Sequence, residues 1–431
     1  MERNNKQEKN SPQSKMSLLA DISHFTGSFT PTVSGHELSK PESAINLKQL
    51  EHNVRVDPEN DPTSTLFQTT NKVNVDFIIP SDGGIDYIDS MILEYNLQNT
   101  SLSTAINLVD AFCLIDELII LIGNTEISKY RGVLLRHLFL LSHSDEKLAT
   151  TLPNVGIDGT TYASNLTIAA NTTITVRVPL FTLLTDAEVP IWMKYPEWKM
   201  RFNFKTGSDI LTAGSAAVTN LSLVTATMKV LLQGQEVSAT TRTQHTNELL
   251  RGEKTFRYIE HYQTPIGNNG TIVANSPIEV NYPTSGYHCA YFLQVQPKTA
   301  GTGHGIYSSD LITSFELQKD KQVVGHSFGN DRYFTSYNKL IASRYWTNVK
   351  PLISPSFNMY QFCFSQNPQF DIYHGANSGS YRALGSPGTI LRIVTPNNVV
   401  DGNVIVWSLI HSYFVVDYSN QRFNVFRMLI N

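Results

Sequence analysis

The side chains able to hold a metal or move a proton are twelve histidines, three cysteines and thirty-seven acids, spread over 431 residues. A cupin-type metal site needs a closely spaced histidine pair, since alternate strand residues share a face, and no HxH occurs. His137 and His143 fall on one expected helix but six residues apart, on different faces, so solvated or core-edge positions suit them better than ligation. Cys113, Cys289 and Cys363 lie far apart in apolar, strand-like sequence. An odd count without CxxC spacing argues against a disulfide framework or zinc site and for buried free thiols. Asp86 with Asp89, and Asp116 with Glu117, could pair for acid–base work, yet both pairs sit at strand starts and turns, where carboxylates ordinarily serve as edge charges. GxSxG, the P-loop, HExxH and GxGxxG are missing. The expectation is a chain that is not an enzyme, with no catalytic, cofactor-binding or metal residue. NxS/T sequons at Asn99, Asn165, Asn171, Asn220 and Asn269 are expected by chance where Asn and Thr abound.

The elements that would have to position any site are strands, and two stretches of them repeat. Val75-Asp-Phe-Ile-Ile-Pro-Ser-Asp-Gly83 leads into Tyr87–Tyr95, and Ile278-Glu-Val-Asn-Tyr-Pro-Thr-Ser-Gly286 leads into Tyr287–Val295. Each is a strand cut by a Pro-initiated turn and followed by a second apolar strand. A second echo sets Leu114–Ile127, with its Gly123-Asn-Thr-Glu tip, over Leu311–Val324, with its Asp320-Lys-Gln tip. The offsets, 75 to 278 and 114 to 311, nearly agree. That points to a duplicated domain rather than a short solenoid repeat.

Length suits two domains. The chain is 41% hydrophobic and 16% charged, below the roughly 25% charge of an average soluble domain. It can bury a large core and still has uncharged surface to set against other proteins. Net charge is −4 and Lys and Arg are scattered, so no basic stripe for a nucleic acid appears and sequence-specific binding of one is not expected. Met1–Ser17 lacks the apolar segment of a secretory signal. The apolar runs are too short or interrupted to span a bilayer, which predicts a soluble chain or one that only touches a membrane.

In chain order, residues 1–62 read as an N-terminal arm, with a short amphipathic helix suggested after Pro41 by Ala44, Leu47 and Leu50 at three-residue steps. A first unit spans 63–240. It holds alternating strands such as Val73–Phe77, Ile174–Val178 and Met200–Phe204, a helix over 132–143 and a long loop over 150–171. The polar stretch 233–254 is the expected boundary. The second unit, 241–431, repeats the plan with glycine-rich loops at 299–305 and 375–388, a helix over 331–344, a long strand Val404–Val416 and an apolar tail from Phe423. About eight strands per unit without βα alternation exclude a parallel α/β sheet. The predicted fold is all-β: two tandem eight-stranded antiparallel jelly rolls with a few short helices and an N-terminal arm.

Thr172-Thr-Ile-Thr-Val-Arg-Val-Pro-Leu180, then Lys199-Met-Arg-Phe-Asn-Phe204, and the closing Gly402-Asn-Val-Ile-Val-Trp-Ser-Leu-Ile-His-Ser-Tyr-Phe414 resemble, in pattern and order, the double jelly-roll major capsid proteins of the tectivirus–adenovirus lineage. The resemblance covers roughly residues 65–431. It implies a homotrimer whose six jelly rolls form a pseudo-hexagonal capsomer tiling an icosahedral virion shell, with neighbouring capsomers and penton or minor capsid proteins as partners. It also implies an arm at the base, near an internal membrane, and tower or inter-subunit loops at 146–171, 297–310 and 366–388. The alternative on fold alone is a jelly-roll carbohydrate-binding surface or fibre protein.

Overall fold

The computed structural model describes residues 44–50, 52–55, 73–79, 85–186, 189–191, 197–212, 214–236, 238–249, 253–266, 277–281, 286–297, 314–320, 322–323, 345–351, 359–374, 378–383, 389–394, 402–417 and 424–429. Its first group of strands makes two antiparallel sheets. One runs β1 (Ala44–Leu50), β11 (Leu221–Glu236), β4 (Tyr87–Asn99), β9 (Thr173–Leu180). The other runs β2 (His52–Arg55), β3 (Val73–Ile79), β10 (Trp198–Phe204), β6 (Ile115–Ile122), β7 (Thr125–Arg131). A small pair, β5 (Ile106–Leu108) with β8 (Leu166–Ile168), stands apart.

The second group repeats this with β12 (Glu253–Ile266), β20 (Gly402–Asp417), β14 (Gly286–Pro297) and β17 (Met359–Cys363) in one sheet. The other sheet holds β13 (Pro277–Asn281), β19 (Thr389–Val394), β15 (Ser314–Lys319) and β16 (Gln322–Val323). β18 (Tyr381–Ala383) adds to β14, and β21 (Asn424–Leu429), the expected apolar tail, adds to β20. With β2 and the small additions set aside, the main strands of each group fall in the same order. The first pairs the eighth, which pairs the third and then the sixth; the second pairs the seventh, the fourth and then the fifth. That connectivity is the jelly roll, twice. The repeated sequences occupy matching places: β3 and β4 against β13 and β14, and the β6–β7 hairpin against β15–β16.

Side-chain alternation builds the core. In β4, Met91, Leu93, Tyr95 and Leu97 point inward, and in β10 Trp198, Met200, Phe202 and Phe204 do the same. The Tyr95 and Phe204 rings meet edge-on at 5.9 Å, which closes one sheet on the other. Antiparallel register sets Met200 opposite Phe77, and the bidentate Arg201–Asp76 pair, at 2.8 and 2.9 Å, binds the same two strands.

The amphipathic helix expected around Ala44–Leu50 is instead strand β1, antiparallel to β11 from Ala44 opposite Glu236 to Leu50 opposite Val230. The segment carries two periodicities: Ala44, Leu47 and Leu50 fit a helix, while Ile45 and Leu47 alternate with Asn46 and Lys48. The unpaired edge of β11 decides between them, because its amides need partners that a helix would not supply. These residues therefore belong to the first roll's sheets, and not to a free arm.

Helices fill the connections. α1 (Ala111–Leu114) and α2 (Gly132–Ser142) pack together. A Cβ on Gly132 would lie 2.0 Å from Phe112 O, so the close approach of the two helices needs glycine. The expected helix over 132–143 is thus present, but as a buried one: Gly132 to Leu141 are all buried, Arg136 and His137 included. Asp110, the N-cap of α1, accepts from Cys113 N at 3.1 Å, Arg136 Nε at 2.7 Å and Ser164 Oγ at 2.7 Å, while Arg136 also reaches Tyr162 O. A buried charge pair of this kind is held by its added hydrogen bonds.

Part of the expected loop over 150–171 is helix α3 (Asp145–Val155). Asp145 and Glu146 favour its first turn, Leu148, Leu152 and Val155 line one face, and Gly156 ends it at φ 69° with Ile157 N donating to Leu152 O. The tower or inter-subunit loop expected over 146–171 thus carries both α3 and β8, and that expected over 366–388 carries α6 (Pro368–His374) and β18. α4 (Leu183–Asp186) follows β9, and α5 (Ala239–Leu249) lies within the polar stretch expected as the boundary between the two strand groups. Residues 1–43, the turns at 80–84 and 282–285, Asn269, the loop at 299–305 and the expected helix at 331–344 lie outside the described residues. No described helix is long and apolar enough to cross a membrane.

A chain lacking residues 1–50 exposes the whole outer edge of β11. Expressed beside the full chain, it is expected to give mostly aggregated protein and a lower melting temperature in the soluble remainder. Equal solubility and melting would show that β1 contributes nothing to the sheet.

Candidate functional site

The acids and histidines weighed from sequence do not meet in one place. Asp86 is buried and paired with Arg242 at 2.8 Å, which fixes α5 to the start of β4, while Asp89 accepts from Gln235 Nε2 at 3.0 Å. Asp116 and Glu117 share Arg131, at 3.4 and 2.6 Å, and Glu117 also accepts from Asn203 Nδ2 at 3.1 Å. All four carboxylates tie strands and a helix together. His137 is fully buried, and burial together with Arg136 holds its pKa well below the usual histidine range. His143 lies at the helix end, Nδ1 3.0 Å from Phe139 O. Asn99 is a core residue that donates to Thr104, Ile168 and Ala169 carbonyls, so this sequon is structural.

Cys113, Cys289 and Cys363 are free thiols; the first two are buried, as expected, and Cys363 is half-buried. Sequence reasoning missed what surrounds one of them. Cys289 of β14, Asp371 of α6 and His411 of β20 bring a sulfur, a carboxylate oxygen and a ring nitrogen within 4.8 Å of one another, all buried. Burial pushes the Cys289 thiol and the Asp371 carboxyl up and His411 down to about 4. No local spacing signals a trio whose members come from three elements.

The feature of largest extent is the seam between the two strand groups. β7, the outer strand of the first group, packs on β12, the first strand of the second. Tyr258 Oη donates to Ile127 O at 2.6 Å, the Tyr130 ring meets His261 edge-on at 4.7 Å, and Trp198 meets Phe414 edge-on at 6.0 Å. A second line of contact joins α2 and α3 to residues 345–351 and α6. Asn348 N donates to Leu141 O at 2.9 Å and its side chain to Asp145 Oδ1 at 3.1 Å; Lys350 pairs with Asp145, and Gln369 Nε2 donates to Ser142 O at 3.3 Å. One continuous apolar cluster runs from Val75 to Val416 through this seam. The two halves are fastened by both backbone-directed hydrogen bonds and shared core, which resists hinge motion.

Strand order in both halves and the seam between them are the features that comparison with known structures tests. The PBCV-1 virus capsid protein superimposes with a TM-score of 0.62 at 13% identity, over 90% of this chain and 97% of its own. The Faustovirus major capsid protein gives 0.59 at 11% identity, over 93% and 97%. The major capsid protein of the Sulfolobus turreted icosahedral virus gives 0.51 at 13% identity, over 85% and 96%. The chain has the double jelly-roll fold. No protein-family model matches it, and neither does any curated protein sequence. Within the double jelly roll, the stretches that carried the sequence resemblance are the sixth and seventh strands of the first roll, β9 and β10, and the eighth strand of the second, β20. At such identity the shared property is alternation and strand order, not side-chain chemistry.

Two outcomes test the seam. Tyr258→Phe leaves the Ile127 carbonyl without its buried donor and should cost about 1–2 kcal/mol in denaturant unfolding; an unchanged midpoint would show the bond to be idle. His261 is held neutral by burial, its pKa down at about 3. With the folded value below the unfolded one near 6.5, the unfolded chain binds more protons between them. Stability from this group is full above about pH 6.5 and falls as pH drops towards 3. As pH drops from about 6.5 towards 3, the melting temperature of the parent chain should fall more steeply than that of His261→Gln; parallel curves would show that this group does not contribute.

Proposed function

We propose that this chain is a major capsid protein whose homotrimers form pseudo-hexagonal capsomers of an icosahedral virion shell. The observation that carries the reading is the double jelly roll itself: two rolls of one strand order, fastened side by side by the Tyr258–Ile127 bond and the Asn348 and Gln369 contacts. Three such chains place six similar rolls around one axis, which fits a hexagonal lattice with half the number of subunits a single roll would need. A tile must not flex between its halves, and a hydrogen-bonded seam over a continuous core meets that demand. Low charge suits a surface that is largely covered by neighbours, and the role asks for binding faces and not for catalysis.

In this reading the rolls divide within α5, the residues ahead of Ala44 form the base-facing arm towards an internal membrane, and the loop segments around α3 and α6 meet neighbouring subunits. Partners are other copies of the capsomer and the penton and minor capsid proteins at special positions.

Light scattering on the purified full chain should give three times the chain mass, and negative-stain images should show six-sided particles. A monodisperse monomer that binds an immobilised glycan would replace this reading with that of a carbohydrate-binding jelly roll.

A further inference from the structure

Three observations converge on the buried trio in the second roll. First, the register between β14 and β20 slips between His288 and Ala290, so Cys289 sits on a β-bulge. Bulges re-aim a side chain out of the regular ladder. Second, His411 of β20 is 3% exposed, and its Nε2 has no hydrogen-bond partner among the described residues. An imidazole nitrogen buried without a partner is costly unless something completes it. Third, Asp371 of α6 is fully buried and oriented by serines: Ser365 Oγ and Ser378 Oγ donate to it, the latter at 2.9 Å, and Ser378 N does so at 3.0 Å. Carboxylates that ligate a metal are commonly held by such outer hydrogen bonds.

We propose that Cys289, Asp371 and His411 bind a divalent cation of the zinc class. The donor atoms lie within 4.8 Å of one another, and a tetrahedral ion with ligand distances of about 2.0–2.3 Å draws them in by about 1 Å, with water as its fourth ligand. Sulfur, imidazole and carboxylate together suit a borderline-soft ion over calcium or magnesium. Charge balances as well: one thiolate and one carboxylate neutralise a doubly charged ion, with the imidazole neutral, in a place where net charge would be expensive. On binding, the thiol and the carboxyl give up any protons they hold to solvent, and no redox change is involved. The ion would fasten α6 to β14 and β20, strands in the middle of the second roll's larger sheet, in a region that also contacts the first roll through Gln369. It is a structural tie and adds no catalytic step. Arg257, His288 and Cys363 are the ionisable neighbours that act on these groups.

The test uses the full chain, stripped with a chelator, desalted and titrated with Co²⁺ and, separately, Zn²⁺. Stoichiometric uptake is expected, with the visible bands of tetrahedral cobalt and a near-ultraviolet thiolate-to-cobalt band. Zn²⁺ should displace the cobalt and raise the melting temperature, and Mg²⁺ should do neither. Cys289→Ser should lose the thiolate band, and Asp371→Asn should weaken binding at least tenfold. Absence of stoichiometric uptake by the folded parent chain, shown by an unchanged circular dichroism spectrum, would overturn the proposal without recourse to any variant. So would a thiolate band that survives in Cys289→Ser, since the sulfur would then be another cysteine's.

Discussion

Each half of this molecule depends on one long strand whose backbone is paired along both edges. β11 holds β1 on one side and β4 on the other; β20 holds β12 on one side and shares its second edge between β14 and β21. A strand in that position has its amides and carbonyls satisfied by the sheet, and it sets the frame in which alternate side chains must face inward. Val230 and Leu232 in β11 are buried as a result, while β20 lies deep enough that Val406 to Ser412 are buried on both faces. The second, facing sheets then pack on this frame, and the helices close the ends.

The same frame explains which parts of the fold could be read from the chain. β3, β9 and β10 alternate so plainly that strand and inner face follow directly, β20 declares itself by its long apolar run, and the repeated sequences mark matching strands of the two rolls. β1 is not legible locally, because Ala44, Leu47 and Leu50 satisfy a helical spacing and only the presence of an open partner edge selects the other periodicity. α3 was hidden in polar sequence: its apolar face is three residues, Leu148, Leu152 and Val155, among threonines and asparagine that resemble a loop. The trio of Cys289, Asp371 and His411 has no local signature at all. Its proximity is a product of the bulge in β14 and of the packing of α6, neither of which can be seen before the sheet is assembled.

Charged residues are few here, and those in the interior have structural duties. The Asp110–Arg136 pair anchors the α1–α2 junction to Tyr162 and Ser164, Asp76–Arg201 crosses β3 and β10, and Glu94 gathers Lys229 and Arg177 across the first sheet. Each of these joins segments distant in sequence. Removal of one partner would leave a buried or half-buried charge behind, which makes them determinants of which segments meet more than sources of net stability.

Because the opening strand of each roll lies against its closing strand, neither barrel can be finished until its last residues have been made. The first roll has all its strands once Glu236 has left the ribosome, so it can mature while the second is still being synthesised, with α5 as the spacer. The second must wait for β20 and then β21 to complete its ladder, and ordering so distant a pairing is slow. During that interval the long flank of β12 stands open. The finished first roll, whose β7 packs on β12, is by then already in place for the later half to settle against.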